Sequence, residues 1–141
     1  MTTLFERLKS FRNLIILANA IFFVAAFTVS HLPGEDLPSL HVGDKTLHII
    51  GYFGLGIALL PLIASYGFRR LARVFLTFAL LLTYGTFDEL TQPLFGRTCD
   101  YQDLIADGIG SAAAILAVEI AFAVLQRKKV LGSRQLIKRT Q

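Results

Sequence analysis

Three short clusters in this chain carry residue types that bind ligands or move protons. Asp44, His48 and Tyr52 recur every four residues, so they share one face of a helix, and Lys45 stands beside the first. Asp103, Asp107 and Ser111 repeat that spacing further along. Between them come Glu89, Gln92 and Arg97. A carboxylate beside an imidazole makes an acid–base pair, so Asp44 or Asp107 acting on His48 is one chemistry open to these residues. Arg97 offers a guanidinium that can fork onto one carboxylate and reach a second group. It suits either a clasp onto Glu89, Asp103 or Asp107, or the capture of an anionic headgroup. His48, Glu89, Asp103 and Asp107 are also metal-ligand types. No HExxH or comparable spacing joins them, so no metal and no other cofactor is expected. Nucleophilic catalysis has less behind it, because Ser111 lacks an elbow motif and Cys99 lacks a neighbouring histidine.

The same residues have plainer roles available. Asp44 and Asp103 are types that cap helix N-termini. Tyr52 suits an aromatic belt, and His48 a membrane interface. Asp107 lies a turn deeper than Asp103 and resists that reading, since a carboxylate entering a bilayer faces a partner or water. Gly110, Ala114, Ala117 and Ala121 lie close to the Asp107 face. Small residues at three- and four-residue spacing let helices approach closely in lipid.

The elements that position these clusters follow from composition. The 141 residues are 54% hydrophobic and only 17% charged. The charge sits in short blocks between nearly unbroken apolar runs, as in a small integral membrane protein. Four runs stand out, and the expected fold is all-α: four transmembrane helices at about 13–30, 46–65, 70–88 and 103–126. Residues 1–141 read as a single domain. Period-two alternation is not visible, and an open sheet edge cannot face lipid. The first run is too long for a typical cleavable leader and no A-x-A-like site closes it, so it is read as retained. One cysteine excludes an internal disulfide. The net charge of +4 does not indicate nucleic-acid binding, because the basic residues flank apolar runs and line no polar face.

Those basic residues set an orientation. Of 14 lysines and arginines, only Lys45 and Arg97 lie outside three groups: 7–12, 69–73 and 127–139. The positive-inside rule then places both termini and the 65–71 turn in the cytoplasm. Loops 30–46 and 88–103 face the other side and carry most of the acid. His31 to Pro38, with two prolines and a glycine, reads as irregular. Pro61 should kink the second helix. The basic tail 127–141 suits anionic headgroups. Glu119, an acid within the fourth apolar run, needs a partner; Arg73 enters from the same side and is the expected one.

Several of these stretches match a known pattern. Asp44-Lys45-Thr46-Leu47-His48 followed by Tyr52, Leu55 and Gly56 resembles the DKxxHxxxYxxLG motif of the VanZ-like family. Asp88-Glu89-Leu90-Thr91-Gln92 resembles its ExxQ element, and Gly96-Arg97, Asp103 and Asp107-Gly108-Ile109-Gly110 its GRxxxxxDxxANxxG element. The resemblance covers about residues 30–125. Asp107 stands where the family often has asparagine, a charge in place of an amide. The family is similar to a protein of glycopeptide-resistance clusters associated with reduced sensitivity to teicoplanin. The resemblance implies a small multi-pass protein of the bacterial cytoplasmic membrane.

The polar cluster expected at the outer face is therefore Asp44, Lys45, His48, Tyr52, Glu89, Gln92, Arg97, Asp103 and Asp107. Its expected partners are membrane lipid and a lipid-linked or lipophilic ligand: an anionic lipid, a cell-wall precursor or a glycopeptide antibiotic. The alternatives are a membrane-embedded enzyme acting on a lipid headgroup, and a structural subunit of a membrane complex.

Overall fold

The computed structural model describes residues 4–32 and 43–139. These residues form helices: α1 (Leu4–Ser10), α2 (Arg12–Ser30), α3 (Asp44–Ser65), α4 (Arg70–Thr91), a 3-10 turn (Gln92–Phe95) and α5 (Tyr101–Arg139). Helices α2 to α5 are long and apolar enough to cross a membrane. The 22 residues of α3 or α4 span about 33 Å, which matches a hydrocarbon core of ~30 Å. The outer faces of the bundle are apolar: Ile21 and Val24 on α2, Leu71 and Phe75 on α4, and Leu116 and Ile120 on α5 are all exposed. That pattern suits a lipid solvent. The irregular segment expected around Pro33 and Pro38 lies outside the described residues.

Helix α3 is the hub and packs against α1, α2, α4 and α5. One of its faces joins Tyr52, Leu55, Leu59 and Ile63 to Leu81 of α4. Another joins Leu60 and Ala64 to Ile115, Val118 and Phe122 of α5. The α3–α5 contact is close because Gly110 has no side chain; a Cβ there would run into the backbone of Ile49. Helix α2 is peripheral, with only Asn19 buried. Asn19 Nδ2 donates to Ala58 O at 3.0 Å, one turn before Pro61. Proline removes one intrahelical bond and loosens the turn before it, yet α3 continues to Ser65.

Three elements differ from the sequence expectation. Helix α4 continues to Thr91, so Asp88 and Glu89 lie on a helix and not in a loop. Their side chains find partners in the bundle, which lets the helix run past the apolar limit. Helix α5 does not stop near 126 but stays helical to Arg139, and its 39 residues span about 58 Å, far beyond a bilayer core. Short α1 was not expected. It seats Leu4, Phe5 and Leu8 against the Leu60–Phe122 cluster, at the opposite end of the bundle from Asp44 and His48.

Candidate functional site

The start of α3, the end of α4 and the start of α5 meet at one end of the bundle. Each contributes polar side chains that turn inward. His48 is the hub: its Nδ1 lies 2.8 Å from Asp107 Oδ1, joining α3 to α5. Its Nε2 stands 3.9 Å from Glu89 Oε1 on α4. Both Glu89 oxygens are held. Gln92 Nε2 donates to Oε1 at 3.1 Å, and the Asp100 backbone N–H donates to Oε2 at 3.0 Å. His48, Glu89, Gln92, Asp103 and Asp107 are all buried, and Gln92 and Asp107 are wholly so.

Charged residues rim this core. Lys45 Nζ reaches Asp100 Oδ2 at 3.1 Å and Asp103 Oδ1 at 3.4 Å. Arg97 was expected to bond at least one of Glu89, Asp103 and Asp107, and it bonds Asp44 instead. Its Nη2 lies 2.9 Å from both oxygens of Asp44. The reason is local: Gly96 takes a left-handed conformation at φ 78° after the 3-10 turn, and the Arg97 backbone N–H bonds Gln92 O. That fold-back sends the side chain across to the first residue of α3. Asp44 therefore serves Arg97 and is not the cap of α3, whose N-cap position is Gly43. Asp103 is not a cap either. Asp100 Oδ1 accepts the Gln102 N–H at 2.9 Å and takes that role for α5. This N–H, and then Lys45, hold the Asp100 carboxyl below the usual carboxylate range.

A second assembly was not anticipated. The Ser30 hydroxyl donates to Asp88 Oδ1 at 2.7 Å, and His31 Nδ1 lies 3.6 Å from the same oxygen. His31 Nε2 meets Thr91 Oγ1 at 2.9 Å, and its ring stacks on Phe27 at 3.9 Å. Ser30 and His31 end an apolar run in the manner of any helix end, so nothing in their spacing pointed inward. Asp88 did leave a signal: with Gln92 it stands at i, i+4 beside Glu89, and Gln92 Nε2 lies 3.5 Å from it.

Between the two assemblies lies a cavity of about 110 Å³. Ala26, Val29, Leu47 and Leu55 supply apolar walls; Ser30, Asp44, His48, Tyr52, Tyr84, Asp88 and Arg97 supply polar ones. Several buried atoms have no hydrogen-bond partner: Tyr52 Oη, Asp107 Oδ2, Gln92 Oε1 and, one turn below, Ser111 Oγ. Buried polar groups are nearly always paired in proteins, so this end of the bundle is short of partners.

The motif residues are thus gathered in one place by three helices. A family model described as VanZ/LLP1 matches residues 2–122. The chain belongs to that family. With its four apolar helices, this VanZ/LLP1 protein is a multi-pass membrane protein. The match contains the whole polar cluster and stops before the C-terminal part of α5. No curated protein and no solved structure matches the chain significantly.

Proposed function

We propose that this VanZ/LLP1 protein binds a membrane amphiphile, with the polar headgroup in the cavity between α2, α3 and α4 and the apolar part against Ala26, Val29 and Leu55. The observation that carries this reading is the mixed lining of the cavity, apolar at Ala26, Val29, Leu47 and Leu55 and polar at His48, Tyr52, Asp88 and Arg97. A volume of 110 Å³ holds a few water-sized groups, which suits a headgroup and not a whole lipid. The ligand class comprises anionic lipids, lipid-linked cell-wall precursors and lipophilic antibiotics. Arg97 is the group that an anionic headgroup would engage, in place of Asp44. The test is native mass spectrometry of the protein extracted in mild detergent. A retained lipid that is lost on Arg97→Ala is expected; equal retention by Arg97→Ala sinks the assignment.

The cluster is proposed to face the outside of the bacterial cytoplasmic membrane. The support is the confinement of nearly all basic residues to the opposite end and its flanks. Reporter fusions after Glu35 and Arg97 should then read outside, and fusions after Phe68 and at Gln141 cytoplasmic. A cytoplasmic Arg97 would reverse the site's orientation.

One observation favours a second reading, that of an enzyme acting on the headgroup. Asp107 holds one ring nitrogen of His48 at 2.8 Å, which orients the other as a base. Lipid turnover by the reconstituted protein, lost on His48→Ala with the fold intact, would decide for it.

A further inference from the structure

We propose that the cavity between α2, α3 and α4 selects a zwitterionic headgroup, with a phosphate on Arg97 and a primary ammonium between Asp88 and the Tyr52 hydroxyl. The inference rests on the amphiphile reading above and names the headgroup. The anionic group that Arg97 takes is then one half of a zwitterion.

The charge around the cavity comes first. Besides its tyrosines, four ionisable groups line it: Asp44, His48, Asp88 and Arg97. Arg97 and Asp44 already bond each other, with both Asp44 oxygens 2.9 Å from Nη2. His48 is engaged with Asp107 at 2.8 Å. That leaves Asp88, and no second lysine or arginine among the described lining residues to face it. A headgroup bringing only negative charge would take Arg97, release Asp44 and add to an excess of acid. Like charges close together in a poorly hydrated space repel strongly. An ammonium beside the phosphate removes that excess, so the acid discriminates against a plain anion.

The bonding of Asp88 is the second observation. The residue is 1% exposed. Its Oδ1 accepts from the Ser30 hydroxyl at 2.7 Å. His31 Nδ1 is 3.6 Å from that oxygen and closer, at 2.8 Å, to Phe27 O. The Oδ2 atom has one contact, Gln92 Nε2 at 3.5 Å, which is long for a hydrogen bond. A buried carboxylate is expected to face a cation or several good donors. An ammonium has three N–H groups and supplies both the charge and a short bond.

The third is an unused hydroxyl. Tyr52 is 5% exposed, lines the cavity, and its Oη has no hydrogen-bond partner. The neighbouring Tyr84 ring is 6.0 Å away, and its hydroxyl donates to Phe23 O at 3.0 Å. Both phenol oxygens therefore have lone pairs to offer an N–H. A quaternary ammonium has no N–H to give, so it would leave Tyr52 and Asp88 Oδ2 as they are. The small volume, about 110 Å³, also favours an unsubstituted ammonium, and it puts Arg97 and Asp88 within reach of one short headgroup.

The experiment uses the full chain, delipidated in detergent and offered an equimolar mixture of phosphatidylethanolamine, phosphatidylcholine and phosphatidylglycerol with identical acyl chains. After repurification, bound lipid is counted by mass spectrometry. Phosphatidylethanolamine should be retained at least ~10-fold over either of the others, the effect of one charge-assisted hydrogen bond. Asp88→Asn keeps the size and an acceptor for Ser30. It should lose the preference while phosphatidylglycerol retention holds or rises; a packing defect would lower all three lipids alike. If phosphatidylglycerol or phosphatidylcholine matches phosphatidylethanolamine, or Asp88→Asn keeps the preference, the ammonium assignment falls and the amphiphile reading stands. If no lipid is retained, both fall. Should Asp88→Asn fail to elute as a folded species, Tyr52→Phe decides, because it removes only an unpartnered hydroxyl. A several-fold loss of phosphatidylethanolamine with phosphatidylglycerol unchanged supports the proposal, and no loss overturns it.

Discussion

At one end of the bundle Arg73 meets Glu119; at the other His48 meets Asp107. The Arg73 pair is closed. Its Nε and Nη2 reach the two Glu119 oxygens at 2.6 and 2.8 Å, and Arg70 adds a contact of 3.1 Å from the surface. The rings of Phe5 and Phe122 lie 5.4 and 5.5 Å from the guanidinium. Helix α1 supplies Phe5 and so acts as a lid. Neither Arg73 nor Glu119 has a buried atom without a partner. The His48 end is open by contrast. Its acids outnumber its cations, four of its buried polar atoms or those just below are unpaired, and a cavity adjoins it. A closed pair joins helices and has no capacity left for a ligand. An unmatched cluster costs the fold and leaves buried polar atoms without partners. Polar residues inside the membrane thus divide by how completely they are satisfied, and not by their type.

The comparison can be tested most severely at the closed end. Glu119→Ala should leave a buried guanidinium unpaired and cost about 3–5 kcal/mol, read by reversible unfolding in mixed micelles. The double substitution Arg73→Met, Glu119→Leu should recover much of that loss. A single variant within error of the parent protein would show that the pair is not closed.

A smaller effect is expected where α3 and α5 approach. Gly110→Ala must push against the Ile49 backbone, at a cost of about 1–3 kcal/mol in the same assay. Because the same seam positions His48 against Asp107 beside the cavity, lipid retention should fall along with stability. Unchanged retention in a destabilised protein would show that the site tolerates a looser seam.

At the open end, stability should barely respond. Asp44 is about half exposed, so Arg97→Ala leaves no buried acid behind. It should cost under ~1 kcal/mol while lipid retention falls. A large loss of stability would make Arg97 a structural clasp.

The smallest effect belongs to the Lys45–Asp100 contact at the rim. The Asp100 carboxyl is held below its ordinary range. Its contribution is therefore present above the ordinary aspartate value and is lost as pH falls below about 4. Melting curves of the parent protein and Lys45→Ala should differ at pH 6 and converge on acidification. A gap that persists at low pH would place the contact's worth elsewhere.

Much of this was legible in the linear chain, for physical reasons. Membrane helices announce themselves through ~20-residue apolar runs, so α2 to α5 were expected in kind and nearly in place. Glu119 is an acid deep in one such run, and Arg73 enters from the same side, so few partners were open to it. The end of α4 was misjudged because Asp88 and Glu89 look like loop residues until their partners are known. The continuation of α5 past 126 escaped because the basic residues Arg127, Lys128 and Lys129 end the apolar run without ending the helix. Short α1 escaped because an isolated seven-residue helix is marginal alone and depends on its docking.

Sequence alone determined the helical class, the count of spanning helices and which residues had to avoid lipid. Those properties follow from transfer free energies, which each segment carries by itself. Tertiary structure alone decided which acid faces which cation. Arg97 chose Asp44 because of a left-handed Gly96, Ser30 and His31 came to Asp88 from a helix 57 or more residues away, and His48 gathered Glu89 and Asp107 from two other helices. Such contacts depend on helix rotation and register, which are set by packing at Gly110 and along α3. No spacing within one segment can report side chains that three helices deliver to one point.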